Sequence, residues 1–117
     1  MKVSELKDQT LDWAVAKARN LPVAIYNTVN GQVIYDAELL DMNVDSGAEF
    51  NPSTNWNLAG PLIESEMIAV TPADYEGFEA FVWPKGEAVW GDTALEAICR
   101  CFVKSKLGDE IDLPEEL

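Results

Sequence analysis

Apolar positions along this chain follow two different periods, and each change of period marks a new element. Leu11, Ala14, Val15 and Ala18 stand at i, i+3, i+4 and i+7, which predicts a helix with one buried stripe. Thr10 is placed to cap it, and Asp12 falls in the first turn, where the helix dipole favours an anion. Lys17 and Arg19 fall in its last turn. Asn20 suits a left-handed cap, and Pro22 forbids continuation. The period then changes to two. Val23 to Val29 and Gln32 to Asp36 are β-prone runs separated by Asn30-Gly31, a pair suited to a type I′ hairpin turn. This register sets Val29 opposite Gln32, Thr28 opposite Val33 and Tyr26 opposite Tyr35. Tyr26, Thr28, Val33 and Tyr35 then share one face, where the two phenols either pack across the strands or border a ligand.

Periodicity is lost over residues 36–57, an acidic loop rich in turn formers. Ser53 or Thr54 is placed to cap a short helix running to about Glu66, with Gly60-Pro61 kinking it or delaying its start. Trp56, Ala59, Ile63 and Met67 follow helical spacing and are expected on the core side, with Trp56 either a buried anchor or the wall of a cleft. Met67 to Thr71 and Phe78 to Trp83 read as strands. The second is nearly apolar on both faces, which suits an internal strand covered on both sides. Pro84-Lys85-Gly86 makes a turn, and Ala88-Val89-Trp90 a short returning strand. Thr93-Ala94-Leu95-Glu96 is a capping box opening the last helix, whose stripe is Leu95, Ile98, Cys99, Phe102, Val103 and Leu107. Glu96 and Arg100 form an i,i+4 pair assigned to its exposed side. Lys104 and Lys106 suit its C-terminal end, and Gly108 terminates it. The tail, 108–117, carries five acids and is expected to be solvated. The order of elements predicts an α+β fold: an antiparallel or mixed sheet with N-terminal, short central and C-terminal helices packed on it, in one domain spanning 1–117.

Charge narrows the partners. The chain carries 21 acids, 8 bases and no histidine, a net charge of −13. Between Asn20 and Pro84 there is no Lys or Arg but ten acids. Such a surface repels phosphate backbones and anionic membranes, so direct nucleic-acid binding is not expected. It either keeps the protein soluble or meets a basic partner. No apolar run approaches the roughly 20 residues that span a bilayer, and the first residues lack the apolar core of a secretory signal.

Candidate chemistry is sparse. Cys99 and Cys101 are two residues apart, point about 200° from one another on a helix, and cannot pair. Cys99 lies on the apolar stripe. Cys101 lies off it, where exposure is expected. With no histidine, neither a thiolate zinc site nor a cysteine nucleophile with its base can be assembled. Reduced thiols suit a cytosolic setting. The stretch Asp41-Met42-Asn43-Val44-Asp45-Ser46-Gly47 superficially resembles a calcium loop, but its glycine is seventh rather than sixth and no Glu stands at the twelfth place. No metal, cofactor or catalytic residue is assigned. The candidate binding residues are Asn51, Ser53, Thr54, Asn55, Trp56 and Asn57, polar groups beside an aromatic, with turn and cap hydrogen bonding as the competing explanation.

Three stretches resemble the NinX family of small proteins of lambda-like phages and prophages. They are Leu11-Asp12-Trp13-Ala14-Val15-Ala16-Lys17-Ala18; Asn51-Pro52-Ser53-Thr54-Asn55-Trp56 with Gly60-Pro61-Leu62-Ile63-Glu64; and Ala94 to Val103 continuing through Gly108 to Leu117. The resemblance implies an α-β-α sandwich and a phage or prophage accessory protein in the cytoplasm of the bacterial host. It brings no activity and no catalytic residues, and the segment from Asp36 to Phe50 lies outside it. Three functions are therefore expected in order: a non-catalytic protein-interaction module with a basic host or phage partner; a small-molecule or peptide binding module with a cleft near Trp56; and an enzyme working through a carboxylate pair. Trp83 and Trp90, on neighbouring strands, either cover the core or form a patch for a second copy.

Overall fold

The computed structural model describes residues 1–38 and 49–117. The calcium-loop reading of residues 41–47 lies outside the described residues. A short 3₁₀ turn (Val3–Glu5) leads into α1 (Asp8–Ala18). The hairpin β1 (Val23–Thr28) and β2 (Gly31–Asp36) follows, then α2 (Trp56–Ser65), the strands β3 (Ile68–Pro72), β4 (Phe78–Val82) and β5 (Val89–Gly91), and α3 (Ala94–Leu107). The fold is α+β, as the patterning predicts. Its strands divide between two antiparallel sheets, β1-β2 and β3-β4-β5.

Helix α3 is the centre of the molecule. It packs against all three strands of the larger sheet on one side and against α1 and α2 elsewhere, while β2 packs on α1. Leu95, Ala97, Ile98, Cys99, Arg100, Cys101, Phe102 and Val103 are all buried, more than one amphipathic stripe supplies. Two expectations change for this reason. Cys101 is not exposed: it is 3 % accessible and lines a space with Val82, on the sheet side of α3. The Glu96–Arg100 pair exists, at 3.2 Å, but lies inside the protein. The N-terminal segment crosses over it, so that Arg100 Nε donates to Leu6 O at 2.8 Å and Nη1 to Trp90 O at 2.9 Å. Thr93 Oγ1 accepts from Glu96 N–H, as the capping box predicts. The Glu96 carboxylate accepts from Asp92 N–H, one residue ahead of the expected donor.

Helix α1 starts three residues earlier than its sequence suggests, at Asp8 rather than after a Thr10 cap. Thr10 lies inside the first turn, where its hydroxyl donates to Lys7 O at 2.7 Å and accepts from Lys7 N–H at 3.2 Å. Asn20 adopts the expected left-handed cap, with φ 57°. The hairpin register is displaced by two: Tyr26 faces Val33, Asn27 faces Gln32 and Thr28 faces Gly31. A two-residue slip keeps every side chain on its predicted face. Tyr26 and Tyr35 therefore still meet, as a diagonal edge-on pair with ring centroids 5.4 Å apart. The turn is Val29-Asn30 rather than Asn30-Gly31. The type I′ turn would need positive φ at two residues, whereas here only Gly31 supplies it, at 115°. Thr28 Oγ1 closes the turn by donating to Gly31 O at 2.6 Å.

The tail is not simply solvated. Val3 N–H donates to Asp109 O at 2.8 Å and Ile111 N–H to Met1 O at 3.0 Å, Ile111 is buried, and the Gln32 side chain donates to Glu116 O. Apolar residues spaced among the acids (Ile111, Leu113, Leu117) hold the segment against the core.

Candidate functional site

The outer face of the β3-β4-β5 sheet carries exposed aromatic side chains. Alternation along β4 sends Phe78, Ala80 and Val82 inward and Glu79 and Phe81 outward, with Trp83 following Phe81. The Phe81 and Trp83 rings lie 6.3 Å apart, and Trp83 is 60 % exposed. Directly across from Glu79 stand Thr71 on β3 and Trp90 on β5. Trp90 is 41 % exposed and held in one place. Its indole Nε1 donates to Glu76 O at 3.0 Å, and its ring lies where a side chain on Gly77 would stand, 2.7 Å from the position a Cβ there would occupy. The patch thus sets aromatic surfaces on the same face of the sheet as the Glu79 carboxylate. It corrects the expectation that β4 is covered on both sides. The strand is central in hydrogen bonding, but only its inner face is covered, and the charged Glu79 in the outward register is the sequence signal for this.

The six residues named from sequence are divided among different places. Asn51, Ser53 and Thr54 line a cavity of about 80 Å³ together with Asp8, Asp12 and Glu49. Asn55 is the N-cap of α2, accepting from Asn57 N–H at 3.0 Å, while its Nδ2 donates to Asn51 Oδ1. Asn57 lines a separate groove beside α2. Trp56 borders neither space. It is 54 % exposed and, like Met67, does not face the core; Ala59 and Leu62 do. The expected helical stripe is not kept because α2 buries Ala59 and Leu62 and ends at Ser65, before Met67.

Asp12 was missed as a site residue. It lies in the fifth position of α1, beyond a first-turn cap, and is buried. Its Oδ1 accepts from Ser53 N–H at 2.8 Å. Burial lifts its carboxyl from the ordinary 3.8 to about 6. The Ser53 hydrogen bonding lowers it, and the charges of Asp8 and Glu49 add a smaller upward push. Ser53 Oγ is itself buried and forms no hydrogen bond of good geometry among the described residues. Burial also pushes Cys101 up to about 11 and Cys99 higher, so both thiols are protonated at neutral pH.

Among the described residues, no group of three or more His, Cys, Asp or Glu side chains is placed to hold a metal ion, and no helix is long and apolar enough to cross a membrane. No curated protein matches the chain. A family profile described as "Bacteriophage P22, NinX" matches residues 2–106, spanning the core, both sheets and the outer aromatic face. The chain belongs to the NinX family of phage proteins.

Proposed function

We propose that this phage-family protein is a non-catalytic interaction module that acts in the bacterial cytoplasm and engages a basic host or phage protein through the outer face of its larger sheet. The observation that carries this is Glu79 set among Phe81, Trp83 and Trp90 on an exposed sheet surface. Exposed aromatic clusters are where binding energy concentrates. The carboxylate selects the sign: a partner Lys or Arg there meets Glu79 and the face of Trp90 together. The net charge of −13 steers such a partner in and opposes nucleic acid. A symmetric pairing of two copies through this face is disfavoured, because a two-fold axis through it brings the two Glu79 carboxylates together. The scatter of Asn51 to Asn57 over separate surfaces supports this reading above a small-molecule cleft beside Trp56.

Affinity capture from host lysate tests it, comparing the chain with Trp83→Ala and Glu79→Lys at low and high salt. Both side chains are exposed at the sheet surface, so both variants are expected to fold. The expected result is one basic protein retained at low salt, released at high salt, and lost with either variant. Retention that ignores both substitutions and salt overturns the reading.

A further inference from the structure

On the helical side of the molecule, α1 and α2 both pack on α3 but leave a groove between them of about 470 Å³. Phe102 of α3 lies at its floor, and Ala18, Leu58, Pro61 and Leu62 form its walls. Arg19 and Lys106 also line it. The one acid there, Glu66, is held by Lys106 at 2.8 Å, so the rim carries net positive charge in a chain of net −13. The guanidinium of Arg19 lies over the Phe50 ring, 5.8 Å from its centroid, while the side chain stays exposed. Pro61 stands inside α2 and has no N–H, so the Asn57 carbonyl at the groove has no donor four residues on.

We infer that this groove is a docking site for an acidic amphipathic helix of a partner protein. The apolar walls take that helix's apolar face at the spacing of successive turns, and its flanking acids meet Arg19 and Lys106. At physiological salt the Debye length is about 8 Å, so charges farther than that from the rim are largely screened. The surface is separate from the aromatic sheet face, and the inference does not rest on the reading of that face.

The probe is a labelled helix of about 15 residues, with Leu and Ile at i, i+3, i+4 and i+7 and Glu on the flanks, and a control with Lys in place of Glu. Anisotropy measures its affinity, and amide chemical shifts locate it. The acidic peptide is expected to bind and to shift Ala18, Leu58 and Leu62. Arg19→Glu with Lys106→Glu is expected to weaken it by roughly tenfold or more, while Lys85→Glu, an exposed charge reversal on the turn after β4, leaves it unchanged. Both groove side chains project to solvent, and circular dichroism of the double variant checks that it is folded. The inference is overturned by binding of the Lys peptide at equal strength, by indifference to the double variant, or by no binding at millimolar peptide. It is equally overturned by groove shifts that depend on protein concentration without peptide, which would assign the groove to a second copy.

Discussion

Asp12 and Ser53, 41 residues apart in the chain, are joined by one buried hydrogen bond of 2.8 Å from the Ser53 N–H to the Asp12 carboxylate. The bond ties α1 to the turn that opens α2. Removing its acceptor with Asp12→Ala leaves a buried N–H unpaired and is expected to cost about 1–3 kcal/mol in denaturant unfolding. Asp12→Asn keeps an acceptor oxygen and separates charge from hydrogen bonding. The folded carboxyl titrates near 6 rather than 3.8, so the folded state holds the proton more tightly than the unfolded chain. Its contribution is therefore fully present below about pH 4 and is lost as pH rises through 6. Relative to Asp12→Asn, the natural chain should lose at most about 3 kcal/mol between pH 4 and pH 7. A flat difference across that window would show that the carboxyl is not raised.

Arg100 connects three parts of the chain, donating to Leu6 O and Trp90 O and pairing with Glu96. Arg100→Met removes all three contacts and leaves the Glu96 carboxylate with only the Asp92 N–H. A loss of about 3–5 kcal/mol is expected, the usual result of breaking a buried charge pair from one side. Arg100→Lys retains charge but not the forked geometry that reaches both carbonyls, and should fall between the two. Denaturant unfolding, with hydrogen exchange at the Val3 and Ile111 amides, reads both the global loss and the release of the N-terminal segment.

Two glycines should respond to alanine by very different amounts. A Cβ on buried Gly91 would stand 2.4 Å from Ala97 N and 2.9 Å from its Cα, backbone that cannot yield without moving α3. Gly91→Ala is expected to cost more than about 3 kcal/mol, the upper range for an overpacked core. A Cβ on Gly60, inside α2, meets the Trp56 ring at an ordinary 3.8 Å and faces the ring of Pro61 next in the chain. Gly60→Ala should change stability by less than about 1 kcal/mol, because the lower backbone entropy cost of alanine in a helix is opposed by the crowding of its Cβ against the following proline ring. Thermal melts of the two variants side by side test the contrast.

Local chemistry determined much of this protein in advance. The stripes at Leu11, Ala14 and Val15 and at Leu95 to Val103, the Thr93–Glu96 cap, the left-handed Asn20, and the strands around Phe78 and Val89 depend on nearest neighbours in the chain, and they lie where the periodicity places them. Even the hairpin, two residues out of register, keeps its faces, because side chains alternate with period two. Tertiary structure decided what covers each face. Cys101, Arg100 and Glu96 sit at helical positions a sequence reads as outward, and became interior only because the N-terminal segment and the sheet enclose α3 on further sides. Trp56 and Met67 have core-like spacing but remain exposed, because α2 buries Ala59 and Leu62 instead and ends at Ser65, leaving Met67 beyond it in a left-handed conformation with φ 56°. Asp12 acquired its raised carboxyl from burial beneath segments distant in the chain, against the lowering effect of its hydrogen bond from Ser53, and the aromatic sheet face exists because nothing in the described chain packs on the outer side of β4. Periodicity is a property of a segment, whereas burial requires a second segment whose arrival the first does not encode.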